Sequence, residues 1–427
     1  MVRPALIPTA RSAMTSPQGN LLVGQSGGPT AVINQSLVGV IEAARARGEV
    51  RRVIGAKRGI AGLLDGDLVD LSREDPRELE RVANTPCAAL RSVRKKPTAA
   101  ECERALARLA ELDVRWFCYI GGNDTAETAH ILGEAARHAG YPLALIHVPK
   151  TIDNDLEVTD HCPGFGSAAR FVALAVMGDN LDNRSLGGVK IDVIMGRHAG
   201  WLTAASVLAK RFPDDGPHLV YPPEVEVAPE QFEEQVAAAH KEFGRVVIAV
   251  SEGIHAPAGR TWYESGEIDA HGNQVLSGSG ALGDVLAAHV KKVVGPKARV
   301  RADTFGYLQR AFVGVTSPSD AIEAREVGRR AVAFALDGGG RGSIGPSGTV
   351  VIERLSNRPY RVAYRLAPLE QVAQRTKLLP AEYLDGVGRI APSFVDYVAP
   401  LVGELPDVAR LAEHRFDPTQ ARGSMKP

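Results

Sequence analysis

What most constrains the fold of this chain is an alternation. Short apolar runs rich in β-branched residues (LLVGQ, RVIGA, WFCYIGG, ALIHV, KIDVIMG, VVIAV, TVVIERL) are separated by longer segments with apolar residues at helical spacing. The longer ones read INQSLVGVIEAARARG, TAAECERALARLAELD, AETAHILGEAARHAG, GWLTAASVLAKRF and PEQFEEQVAAAHKEFG, several of them closed by glycine. Strands alternating with helices predict an α/β fold, with parallel-rich sheets covered on both faces. At 427 residues the chain exceeds what one hydrophobic core supports, so two doubly wound, Rossmann-like domains are expected, with the functional cleft between them. A break near 156–170 divides them. The expected division is a polar tail at 1–19, a phosphate-binding domain at 20–160, and a second domain at 161–275 and about 305–340. Residues 275–305 and part of the C-terminal region are expected to rejoin the first domain, and 341–427 form an extension of unspecified packing.

Fifty acidic and fifty basic side chains give no net charge, which argues against nucleic-acid and membrane-surface partners. The apolar runs are too short to cross a bilayer, and the polar start lacks the apolar stretch of a secretory signal. A cytoplasmic protein is expected. Cys87, Cys102, Cys118 and Cys162 have no metal-ligand spacing and read as free, buried or half-buried thiols.

The polar signals fall at strand ends: GQSGGPT, GGNDT, PKTIDND, MGRHAG and SEG. Ligands of parallel sheets bind outside those ends, so five such endings aimed at one sheet edge imply a single crevice. Gly28 belongs to a turn where bare backbone approaches an anion at a helix N-terminus. Asn123 and Asp124 follow a similar turn; a carboxylate there implies a divalent cation beside a phosphate, or else caps the helix that follows. In PKTIDND, Lys150 neutralises phosphate charge, Thr151 donates a hydrogen bond, and Asp153 and Asp155 divide between proton abstraction and metal or base support. The competing reading is a solvated turn, which seldom follows so apolar a strand. Arg197, Glu252, Arg301, Tyr307 and Arg310 downstream, with Arg94 and Lys96 upstream, fit a substrate with a phosphate at one end and hydroxyls in its middle. His198 reads as structural.

GGNDT, PKTIDND, MGRHAG, SEG and R…GYLQR, in this order, resemble the phosphofructokinases, and specifically their pyrophosphate-dependent branch, from about residue 20 to at least 320. The resemblance implies magnesium-assisted, reversible transfer of a phosphoryl group from pyrophosphate to the 1-hydroxyl of fructose 6-phosphate, by a homodimer or homotetramer. It implies Asp153 as the base, Thr151 and Ile152 along the sugar and transferred group, and Asp155 supporting metal or base. Met195, Gly196 and Arg197 resemble the substrate turn, Glu252 the acid that holds sugar hydroxyls, and Tyr307 with Arg310 the 6-phosphate clamp. Arg301 matches an arginine often presented across a subunit interface, Gly28 contacts the donor, and Arg94 reaches the transferring group.

Two positions speak to the donor. ATP-using relatives resemble this chain but carry glycine where it has Asp124 and Lys150. A carboxylate at 124 repels an inner nucleotide phosphate, while Lys150 pairs with the end of a shorter donor. Asn123 stands where many relatives have a metal-binding aspartate, so its amide oxygen or a bridging water is the expected substitute. Only Lys190 or Arg184 lies near a usual interface arginine, which leaves sedoheptulose 7-phosphate as a second substrate. An ATP-dependent or mixed-donor kinase and an inactive sugar-phosphate sensor are the alternatives.

Overall fold

Seven strands form one sheet and four form another in the computed structural model, which describes residues 17–263, 280–338, 344–373 and 375–412. Most of the expected N-terminal tail, the stretch 264–279 and the last fifteen residues lie outside the described ones. The first unit runs β1 (Gly19–Gln25), α1 (Ile33–Arg45), β2 (Val50–Ala56), α2 (Ile60–Asp65), β3 (Leu68–Asp70), α3 (Pro76–Ala83), α4 (Ala99–Glu111), β4 (Val114–Gly121), α5 (Asn123–His138) and β5 (Ala144–Pro149). A long helix, α6 (Phe165–Leu186), leads into β6 (Gly188–Ile194), α7 (Trp201–Ala205), β7 (Leu219–Tyr221), α8 (Pro229–Phe243) and β8 (Arg245–Ser251). A small hairpin, β9 (His255–Ala256) and β10 (Arg260–Thr261), precedes α9 (Ala281–Val294) and β11 (Val300–Thr304). The chain closes with α10 (Pro318–Asp337), β12 (Gly348–Asn357), β13 (Tyr360–Ala367) and α11 (Pro392–Val402).

The large sheet has the order β13-β12-β5-β4-β1-β2-β3, parallel except for β3 and β13, which pair antiparallel at its two edges. Strands β1, β4 and β5 are buried almost throughout, as expected of central parallel strands covered on both faces. The small sheet, β11-β6-β8-β7, is wholly parallel. Local sequence sets the helix ends: Thr98 and Glu101 form a capping box on α4, Asp75 caps α3 ahead of Pro76, and Gly244 closes α8 in the left-handed conformation.

The division of the chain differs from the sequence expectation in two places, at 281–304 and at α10. Residues 281–304 do not rejoin the first unit: α9 packs on the small sheet, and β11 pairs with β6. The return comes later, through α10, whose Val327, Ala331 and Ala335 share a core with Leu21, Ile41 and Ile146 of the first unit. Glycine on both helices makes that contact possible, since a Cβ at Gly39 would lie 2.1 Å from the Arg325 carbonyl and one at Gly328 would lie 2.2 Å from the Ser36 carbonyl. The C-terminal extension then splits, β12 joining β5 in the large sheet while Phe394 and Tyr397 of α11 enter the core of the second unit beside Trp201. The helix expected over 200–212 is shorter, ending at Ala205 before a 3-10 turn. All four cysteines are free, and three are buried; Cys87 is exposed, contrary to expectation.

Candidate active site

The polar strand ends do not share one sheet. Those after β1, β4 and β5 belong to the large sheet and those after β6 and β8 to the small one, so the crevice lies between two rows of strand ends. At its centre is Lys150. The backbone N–H of Lys150 extends the β4–β5 ladder to the Gly121 carbonyl at 2.9 Å. Behind it His147 is wedged between the Gly121 carbonyl (2.9 Å) and the Thr349 hydroxyl (2.8 Å); burial pushes it down to about 4, so it is neutral. The ammonium of Lys150 donates to the Gly28 carbonyl at 2.7 Å. Gly27, at φ +75°, is required beneath it, because a Cβ there would stand 3.0 Å from that ammonium.

Charge is arranged around this lysine in an unusual way. Burial, followed by the Arg310 and Arg94 guanidiniums, pushes Lys150 down to about 8. Arg310 comes from the turn after β11, and its guanidinium carbon lies 3.4 Å from where a Gly28 Cβ would be. Cations so placed repel one another and leave an appetite for an anion. Burial raises the half-buried Asp153 carboxyl above its ordinary value, against the pull of Arg310, Lys150, Arg94 and His198. Asp155 is pushed up to about 6 by burial and then by the charge of Asp153. Asn123, the first residue of α5, donates from Nδ2 to Asp155 Oδ2 at 2.8 Å. Asn123 Oδ1 and Asp155 Oδ1 are both buried without a hydrogen-bond partner.

The second unit faces these groups. Met195 and Gly196 are buried after β6, with the Met195 N–H 3.4 Å from Gln309 Oε1, and the buried Glu252 donates its backbone N–H to Ile194 at 2.8 Å. Arg197, His198 and Glu252 line a cavity of about 420 Å³ together with His255, Thr261 and Tyr263. His198, read from sequence as structural, is an exposed member of that wall. Neither His198, His255 nor Tyr263 carries a sequence signal beyond nearness to MGR or SEG. The Arg310 guanidinium stacks 4.5 Å over the Tyr307 ring. Thr151 and Ile152 are buried, with the Asp153 N–H on the Thr151 hydroxyl at 3.1 Å.

Not every expected residue arrives. Arg301 is exposed on β11, across from Lys190, and its guanidinium donates to the Val300 carbonyl at 2.9 Å. Asp124 is exposed in the first turn of α5, where no side chain caps the helix. Arg94, though exposed, does reach the cation cluster around Lys150, whereas Lys96 is held by Glu127 at 2.6 Å. Arg184 pairs with Asp214 at 2.8 Å and Lys190 with Asp179 and Asp303, so neither offers a free cation to a sugar. Asp179, Asp192 and Asp303 lie within 4.8 Å of one another, a geometry open to a metal ion. The Lys190 ammonium already sits among them, and burial, with Asp179 beside it, raises Asp192 well above its ordinary value. Asp192 also lies two residues short of the ligand-facing end of β6, roughly 7 Å of strand.

Crowded cations, a desolvated carboxylate and glycine turns between two α/β units are the equipment of phosphoryl transfer, and the class is that of two-domain α/β phosphotransferases. The chain belongs to the phosphofructokinase family, whose sequence pattern, described as Phosphofructokinase, matches residues 20–335. It is 48% identical over 404 residues to the pyrophosphate--fructose 6-phosphate 1-phosphotransferase of Rhodospirillum rubrum, covering 93% of this chain and 98% of that protein. The enzyme of the same name from Xanthomonas campestris pv. campestris is 42% identical, with 91% of this chain and 93% of that one covered. A crystal structure of a pyrophosphate-dependent phosphofructokinase from Marinobacter aquaeolei superposes with a TM-score of 0.80 at 33% identity, over 93% of this chain and 97% of that one.

Proposed function

We infer that the chain transfers a phosphoryl group reversibly from pyrophosphate to the 1-hydroxyl of fructose 6-phosphate. The observation that carries this is the meeting of Lys150, Arg310 and Arg94 around Asp153 and the Gly27–Gly28 turn. Such a cluster takes up a small, highly charged donor, and the carboxylate inside it accepts the proton of an attacking hydroxyl. In this reading Asp153 is the base, and Thr151 donates to the transferred group. Gly28, Lys150 and Arg94 hold the donor, with Asp124 set against a longer one. Ile152, Met195, Gly196, Arg197 and Glu252 bound the sugar. Tyr307 and Arg310 hold its 6-phosphate, and Arg310, lying against Gly28, also reaches toward the donor.

Magnesium is the proposed cofactor. Asn123 Oδ1 and Asp155 Oδ1, buried and without hydrogen-bond partners, form the kind of oxygen pair a hard divalent cation accepts, directly or through water. When bound, the ion neutralises charge on the donor's phosphate oxygens. Asp155 is the ligand that must be ionised, and its raised value makes that uptake sensitive to pH. Assembly as a homodimer or homotetramer is also proposed; the exposed Arg301 supports it as a residue positioned to serve a neighbouring copy.

A coupled assay with fructose 6-phosphate and magnesium, supplied with pyrophosphate or ATP in parallel, tests the reading. Turnover with pyrophosphate and little with ATP is expected. Comparable turnover with ATP overturns the donor assignment, and none with either overturns the reaction.

A further inference from the structure

Between the two carboxylates of the TIDND turn stands a residue that touches neither substrate face. Asn154 is fully buried and left-handed, at φ +55°. Asparagine tolerates that conformation better than most residues, yet here both ends of its amide are also used. Its Oδ1 accepts from the Cys162 N–H at 2.9 Å, and its Nδ2 donates to the Tyr397 hydroxyl at 3.0 Å. That hydroxyl in turn donates to the Asp160 carbonyl at 2.9 Å. Tyr397 is held from its other side by Arg354, whose guanidinium lies 4.3 Å over its ring and donates to its carbonyl at 2.6 Å. A second tether comes from the same C-terminal segment: the Lys377 N–H donates to the Asp155 carbonyl at 2.8 Å. The Lys377 ammonium is fixed by the Thr159 and Asp160 carbonyls at 2.9 and 2.8 Å, and by the Trp201 ring at 4.9 Å.

We propose that Tyr397 and Lys377 are positioning residues for phosphoryl transfer, acting through Asn154 and the Asp155 carbonyl to hold Asp153 and Asp155 at a fixed divergence. The left-handed kink at Asn154 turns the chain between the two acids, so that one serves the sugar hydroxyl and the other the Asn123 side. Both tethers are anchored in residues 377–397, which sequence alone gave no reason to connect with the turn. The inference rests on the reading of Asp153 as the base.

Two variants of the full chain test it. Tyr397→Phe removes one hydroxyl and keeps the ring packing; Asn154→Gly keeps the left-handed backbone and removes both amide bonds. A misplacement of about 1 Å costs up to a hundredfold in rate, so kcat is expected to fall about tenfold for Tyr397→Phe and about a hundredfold for Asn154→Gly. KM for fructose 6-phosphate stays within about twofold in both, because apart from Ile152 the groups assigned to the sugar and its 6-phosphate follow β6, β8 and β11, away from the tethers. The magnesium concentration for half-maximal rate rises as Asp155 loosens. A folded Tyr397→Phe protein with unchanged kcat, even one that melts earlier, overturns the inference and leaves the bond a purely structural one. If Asn154→Gly fails to fold, Tyr397→Phe decides alone. No turnover by the unmodified chain sinks the functional reading and this inference together, whereas an active chain indifferent to Tyr397→Phe sinks only the inference.

Discussion

The turn at 150–155 and the rim formed by Arg94 and Asp124 border the same crevice, yet they are built oppositely. The turn is largely buried and braced from three directions: by Gly121 and Gly28, by Pro163, whose carbonyl accepts from the Thr151 N–H at 3.2 Å, and by the C-terminal residues Lys377 and Tyr397. The rim side chains are exposed. A braced site holds reacting groups in place and tolerates little change, whereas an exposed rim adjusts what enters with small cost to the fold. Chemistry and donor choice are therefore expected to separate experimentally along this line except at Lys150, which belongs to the turn and also meets the donor.

The sharpest break is Asp153→Asn. It keeps shape and removes the proton acceptor, so kcat is expected to fall about a thousandfold while fructose 6-phosphate still binds; near-normal turnover in steady-state kinetics contradicts the base assignment. Next comes pH. For the free enzyme, kcat/KM is expected to rise as Asp155 loses its proton near 6 and to fall as Lys150 loses its proton near 8. Each limb changes about tenfold per pH unit, and a flat profile from 5 to 9 counts against both groups. The smallest kinetic effect belongs to Lys190→Met, far from the crevice. It leaves three clustered carboxylates without their ammonium and is expected to cost about 3 kcal/mol of stability with kcat unchanged, read by denaturant titration beside the assay.

The sequence carried β1, β2, β4, β5 and β12 of the large sheet and β6 and β8 of the small one, with the polar residues at several of their ends, because both signals are local: a buried parallel strand is a continuous apolar run, and its last residues open onto the ligand. The edge strands β3, β7, β11 and β13 escaped it, being short or only half-buried. It did not carry α6, whose small and mixed residues (FGSAARFVALAVMGDNLDNRSL) blur the helical period. Nor did it carry the route of the C-terminal third, since α10 is recruited to the first unit by a glycine contact with α1 that no local pattern announces. The same limit applies inside the site. Lys150, Asp153 and Asp155 sit in one short motif, but their tethers to Tyr397 and Lys377 span more than 200 residues of chain. His198 and His255 became candidates only when β6 and β8 were seen to end beside each other.

The account turns on Lys150 and Asp124 together confining the donor space to a molecule of two phosphates. Steady-state kcat/KM for pyrophosphate and for ATP, measured on the unmodified chain and on the double variant Asp124→Gly/Lys150→Gly, tests this most directly. The account predicts a fall of at least about a hundredfold with pyrophosphate and a gain with ATP. Pyrophosphate kinetics unchanged by the two substitutions would contradict it.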